Sequence, residues 1–198
     1  MSDLIKFGNF NSVGRNDNKR QIILTNTSRN VNDYLQSLKY RYNGKYDKIP
    51  NYVITREGKI LQLLENDEYC KYNNDSKIDQ NSITVALENL GWLEKEPLKN
   101  SHINWIGDIY KQKVFERKWR DYFFWQPYPE EQIMLTAKLC VEISKETTIP
   151  LISVEHNTKI NGIEKFEGIV TRSNFDSDFT DISPAFNFEK FINYLENE

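Results

Sequence analysis

NSITVALENLGW, residues 81–92, sets apolar Ile83, Val85 and Leu87 alternately with smaller or polar side chains, as a half-buried strand should, and closes on an acid, Glu88, followed by Asn89. Upstream, the apolar run QIIL at residues 21–24 is short enough for a buried strand and is stopped by the polar TNT of residues 25–27. Val31, Leu35, Leu38 and Tyr42 then recur at helical spacing, with Asn30 as the N-cap and Gly44 as the stop. NYVIT (51–55) and ILQLL (60–64), joined by the glycine-containing REGK, predict a hairpin. Downstream of the quoted strand, a helix over 130–147 puts Ile133, Ala137, Cys140 and Val141 on one face. LISV at 151–154 predicts a further strand. Residues 155–184 read as a polar loop, long enough to suggest function, and Phe188, Phe191, Ile192 and Leu195 form a short amphipathic helix. The order of elements predicts an α/β fold with one domain over residues 1–198, a polar lead over 1–20 and an inserted segment over 92–128.

Composition narrows the function. The 198 residues carry 26 basic and 29 acidic side chains, a net charge of -3, so no overall positive field exists to hold a polyanion and nucleic acid is disfavoured as a partner. No stretch approaches the roughly 20 consecutive apolar residues that span a bilayer, which excludes a membrane-spanning helix. The first twenty residues lack the basic start and apolar run of a secretory signal, so the expected location is a cytoplasm. With two Cys and two His, few transition-metal sites are possible. Cys70 and Cys140 have no CxxC spacing and are expected to be reduced, structural thiols.

Residues 92–128 crowd Trp92, Trp105, Tyr110, Phe115, Trp119, Tyr122, Phe123, Phe124, Trp125 and Tyr128 among charges. Three readings follow: a small second core, a surface docked onto another protein, or a platform for saccharide stacking. Lys and Arg in the segment are offset by Glu94, Glu96, Asp108, Glu116 and Asp121, which again speaks against nucleic acid.

Four stretches in order resemble one known family. IILTNTS (22–28), PNYVITREGKILQLL (50–64), NSITVALENLGW (81–92) and FEGIVTRSNF with TDISPAF (166–186) are similar to motifs of the type-2 N-acetylmuramoyl-L-alanine amidases, which include amidase-type phage lysozymes and peptidoglycan recognition proteins. The resemblance runs from about residue 22 to 186, interrupted by the aromatic segment. It implies a central mixed β-sheet flanked by helices, a peptidoglycan substrate, and a zinc ion held by three protein ligands with an open fourth position for water.

Carried over residue by residue, the family's ligands fall on Thr25, Thr171 and Asp181, with Arg172 beside the second. Threonine is a poor zinc ligand and arginine is a fixed cation, so only Asp181 is competent. The resemblance therefore implies a domain with no metal and no cofactor, a pseudoenzyme whose groove is retained. Asn26, Asn51, Tyr52 and Asn89 would line that groove with Thr25, Thr171, Arg172 and Asp181, and Arg172 would pair with Asp181 or with a carboxylate of a peptide. Candidates for surviving chemistry are His156, in VEHN, and Glu88. The expected role is a peptidoglycan-binding or virion structural module of a bacterial virus, in the host cytoplasm or the virion. Its partner would be a peptidoglycan fragment or, through residues 92–128, a phage structural protein. The alternative is an active amidase using a non-standard site around His156, Asp181 and Glu88. His102 is expected at the surface.

Overall fold

In the computed structural model, which describes residues 4–7, 10–73, 75–97, 99 and 101–197, the chain alternates short strands with four α-helices. In order these are β1 (Leu4–Lys6), β2 (Gly14–Arg15), β3 (Gln21–Asn26), α1 (Val31–Tyr40), β4 (Tyr52–Ile54), β5 (Ile60–Gln62) and β6 (Glu68–Tyr69). Then come α2 (Ser76–Asn81), β7 (Ser82–Leu87), β8 (Trp92–Lys95), β9 (His102–Ile103), β10 (Ile109–Tyr110), β11 (Phe115–Trp119), β12 (Tyr122–Trp125), α3 (Glu130–Thr147), β13 (Gly168–Thr171) and α4 (Phe188–Glu196).

A mixed sheet of order β1-β5-β4-β7-β3-β13 forms the centre. Strands β4, β7, β3 and β13 run parallel to their neighbours, while β5 returns antiparallel to β4. Alternation assigns the faces. Ile22 and Leu24 of β3, Ile83, Val85 and Leu87 of β7, and Ile169 of β13 pack under α3 and α4, against Ile133, Ala137, Cys140 and Phe191. On the other face, Val53 and Ala86 meet Tyr34 and Leu38 of α1. The result is a three-layer α/β arrangement with both faces of the sheet covered. For that reason β7 is buried at all six positions rather than half-buried as its alternation suggested, since it is flanked by β4 and β3 and covered on both sides.

Buried polar side chains fasten the layers. Gln132 of α3 donates to the carbonyls of Ile54 (2.9 Å) and Glu88 (3.1 Å), tying the helix to the ends of β4 and β7. The hairpin between β4 and β5 turns through Gly58, whose φ of +80° favours glycine. Asn30 caps α1 by accepting from the Asp33 amide.

Three local expectations are revised. LISV makes only an isolated bridge, Ser153 to Ile169, with the Ile152 carbonyl accepting from the Ile169 amide and the Leu151 and Ile152 side chains exposed at the outer edge of β13. The polar stretch 155–184 contains β13, whose four residues are all buried beside β3. The helix expected to include Tyr42 stops at Tyr40, and Tyr42 adopts a left-handed φ of 52° that turns its ring out of the helical row. The lead contributes β1, parallel to β5, and β2, paired with β6.

The aromatic segment builds a second, antiparallel sheet of order β10-β9-β8-β12-β11. Trp92 stacks on Tyr122 with centroids 4.4 Å apart, and Trp125, fully buried, contacts Trp119 and Tyr122. His102 is half-buried, tilted on Phe124 at 4.8 Å, rather than at the surface. No helix among the described residues is long and apolar enough to cross a membrane.

Candidate functional site

Parallel strands place their carboxyl ends together, and an open α/β sheet presents a crevice there. In this chain the ends of β3 and β13 meet the start of α1 and the loop after β13. Thr25 shares a sheet face with Ile23, Val170 and Ala86, since side chains alternate along β3 and its partners. From there its hydroxyl donates to Asp181 Oδ2. The Arg172 guanidinium reaches the same carboxylate oxygen at 3.7 Å. That pair is largely enclosed, with side-chain exposures of 18% for Arg172 and 9% for Asp181. The Arg172 guanidinium carbon lies 3.8 Å from the centre of the Phe179 ring and 5.3 Å from that of Tyr72.

Strand alternation also revises the second position carried over from the resemblance. Thr171 lies opposite Leu24, on the α3 face, and its hydroxyl contacts Ser173 Oγ (3.1 Å) and donates to Asn174 Oδ1 (3.0 Å). One residue on, Arg172 returns to the face of Thr25. The converging groups are therefore Thr25, Arg172 and Asp181. They do not fit the zinc that the resemblance implies, because Asp181 is already engaged by a hydroxyl donor and a fixed cation, and a guanidinium has no lone pair to offer. Among the described residues, no three His, Cys, Asp or Glu side chains lie together as a metal-holding group.

The remaining sequence candidates are placed as follows. Glu88 is buried, and its two oxygens accept from the backbone amides of Val31 (2.9 Å) and Arg56 (2.8 Å), tying the first turn of α1 to the hairpin. His156 is exposed, and its Nδ1 accepts from the Thr158 amide at 3.2 Å. Asn51 donates to the carbonyls of Glu65 and Glu68 and accepts from the Thr84 amide. Tyr52 donates to Asn66, and burial raises its phenol well above the ordinary range. Asn89 accepts from the Gly91 amide and donates to the Gln126 carbonyl, joining the two sheets. These last three side chains hold the scaffold. Both cysteine thiols are buried, which pushes Cys70 up to about 11 and Cys140 higher still, so neither is primed as a nucleophile.

A cleft of about 430 Å³ opens beside the Thr25–Arg172–Asp181 group, and of the sequence candidates Asn26 and Arg172 line it. Sequence reasoning did not place Arg29, Tyr34, Arg41, Lys48 or Tyr72 on this wall, and Trp105, one of the rings of the aromatic segment, joins them from the second sheet. Trp105 Nε1 donates to the Ser28 carbonyl at 2.9 Å, which fastens the loop between β9 and β10 to the cleft rim. Tyr34 and Tyr72 meet hydroxyl to hydroxyl at 3.4 Å, and burial raises both phenols. On the opposite side, Arg120 stacks on Trp119 and donates to the Asp176 carbonyl at 3.4 Å, so the second sheet also braces the loop that carries Asp181.

Residues 15–167 match the sequence model of a family described as N-acetylmuramoyl-L-alanine amidase. A search of curated proteins returned no match. Among solved structures, the fold is similar to that of the amidase AmiD from E. coli, solved in complex with the substrate anhydro-N-acetylmuramic acid-L-Ala-D-gamma-Glu-L-Lys. TM-score is 0.58 at 16% identity, over 92% of this chain and 59% of that one. This chain thus spans about three fifths of the AmiD structure. The N-acetylmuramoyl-L-alanine amidase LysC from Clostridium intestinale URNW aligns over 98% of this chain and 97% of its own, with TM-score 0.55 and 10% identity. The ectodomain of the Drosophila transmembrane receptor PGRP-LCa aligns over 94% and 89%, with TM-score 0.52 and 12% identity.

Proposed function

This chain belongs to the N-acetylmuramoyl-L-alanine amidase family, and we propose that within it the chain is a binding module that holds a peptidoglycan fragment in the cleft without metal-dependent hydrolysis. One observation carries this reading: the Asp181 carboxylate is shared by a hydrogen bond from the Thr25 hydroxyl and an ion pair with the Arg172 guanidinium, where a hydrolase of this family would hold its ion. Hydrolysis by zinc needs an acidified water on an open coordination position, and neither a hydroxyl nor a guanidinium supplies that. Binding needs only a shaped cleft with placed donors and aromatic faces, which Asn26, Arg172, Tyr72 and Trp105 provide.

The structures with similar folds support the ligand class. One was solved with an anhydromuramyl peptide substrate and another, from Pseudomonas aeruginosa, with anhydromuramic pentapeptide. We extend the proposal to a virion structural module of a bacterial virus, in which the second sheet docks on a phage structural protein. What supports that is its exposed apolar set, Ile109 at 54%, Phe123 at 52% and Phe115 at 37% exposure.

Sedimentation of the purified chain with isolated sacculi tests the reading, run beside release of stem peptide from the same sacculi. Co-sedimentation with no peptide released is expected. Release of stem peptide would overturn the claim of a non-hydrolytic module and favour the alternative amidase, and absence of co-sedimentation would overturn the binding claim.

A further inference from the structure

The cleft wall is more basic than the chain as a whole. Arg29, Arg41, Lys48 and Arg172 line it, against a single lining carboxylate, Asp47, which pairs with Lys71 at 3.2 Å. Each of the three guanidiniums is laid over aromatic rings. Arg29 lies 5.2 Å from the Trp105 centroid, Arg41 lies 5.0 Å from Tyr46 and 5.4 Å from Tyr42, and Arg172 lies between Phe179 and Tyr72. Stacking fixes the plane of a guanidinium and leaves its in-plane N–H edge as the donor, the geometry that grips carboxylate or phosphate oxygens in pairs.

The two outer guanidiniums, Arg29 and Arg41, are under-compensated. Among the described residues, neither Arg29 nor Arg41 has a carboxylate within ion-pair reach, and the buried Nε of Arg172 has no hydrogen-bond partner. Burial lowers the Lys48 ammonium and the neighbouring charges of Arg172 and Arg41 lower it further, while Asp47 and Asp79 act the other way. Gathering like charges costs free energy that an anion of opposite sign would return.

We propose that the cleft is a receptor for an oxyanionic ligand carrying more than one negative charge, held edge-on by Arg29, Arg41 and Arg172, with Trp105 fixing the Arg29 plane. The inference rests on the preceding reading in taking this cleft as the ligand site, and it adds the charge class that the site selects. Carboxylates of a wall peptide and phosphates of a wall polymer share this chemistry.

Titration calorimetry on the full chain with pyrophosphate and with citrate, and with N-acetylglucosamine as the uncharged control, tests it. Saturable binding of at least one anion is expected, weakened about tenfold by Arg29→Gln and by Arg41→Gln, as loss of a charge-assisted hydrogen bond predicts. Added salt should weaken it too. Preference for pyrophosphate would assign the ligand to phosphate chemistry and preference for citrate to carboxylate chemistry; either supports the proposal. Arg29 and Arg41 lie outside the core, so unchanged melting of both variants separates lost binding from lost folding. No binding of either anion at millimolar concentration, or binding indifferent to both substitutions, would overturn the proposal. Anion binding without sacculus binding would instead overturn the wall-fragment reading alone.

Discussion

Replacing Asp181 with asparagine removes the negative charge on which the site closes, while keeping shape and one acceptor oxygen. The structure sets the magnitude. Arg172 stands 3.7 Å from the carboxylate, and at an effective dielectric of about 20 that separation corresponds to roughly 4 kcal/mol of Coulomb attraction. Desolvation of both ions offsets part of that, and the remaining exposure of Arg172 offsets more. The Thr25 hydrogen bond to an ionised acceptor falls to a neutral one, which costs about 1 kcal/mol. We therefore expect Asp181→Asn to lower the unfolding free energy by about 2–3 kcal/mol, measured by urea denaturation. Arg172→Met should cost less, since Phe179 and Tyr72 keep an apolar side chain packed. The double variant should be less destabilised than the sum of the two by about 1–2 kcal/mol, because each single change already breaks the same pair. A loss under about 0.5 kcal/mol for Asp181→Asn, or additivity of the two changes within that margin, would refute the pairing.

Three other perturbations test the scaffold. Glu88→Ala strands the amides of Val31 and Arg56 and should cost about 2–4 kcal/mol by chemical denaturation, with Glu88→Gln intermediate; equal stability of all three proteins would remove its tying role. Gly58→Ala should cost about 1 kcal/mol, read as a lower urea midpoint, since a Cβ there meets a left-handed φ of +80°. Lys19, buried with its ammonium donating to the carbonyls of Gln80 and Glu68, is pushed down to about 8 by burial. Because its folded pKa lies below the unfolded value, the unfolded chain binds more protons between them and stability rises with pH across that window. From pH 7 to pH 9 the wild type should gain up to about 1 kcal/mol on Lys19→Met, and a flat difference would contradict the burial of a charged amine.

Much of the fold is local in origin and could be read from the chain. The apolar runs QIIL and SITVAL, the REGK turn and the one-sided apolar row of α3 each declare an element from neighbouring residues alone. The strand over Gly168–Thr171 was harder, since four residues inside a polar stretch carry little signal until β3 supplies a partner. LISV misled for the opposite reason: it is apolar, yet no element covers Leu151 or Ile152. At the site, sequence spacing gave the segment but not the side chain. The choice between Thr171 and Arg172 turns on which face of β13 each occupies, a property of the register with β3. The basic cleft had no spacing to betray it, because Arg29, Arg41, Lys48 and Arg172 come from separate loops and strand ends. The one hint was arginine set near aromatic residues, as in Arg41, Tyr42 and Tyr46, a pattern that becomes informative only once stacking is seen.

The central claim is that a guanidinium and a hydroxyl, rather than a metal ion, complete the Asp181 site. Elemental analysis of the protein after dialysis against zinc, with melting followed before and after chelator, addresses it directly. The account predicts sub-stoichiometric zinc and a melting curve indifferent to the chelator. One tightly held zinc per chain, lost to chelator together with stability and lost likewise in Asp181→Asn, would contradict it.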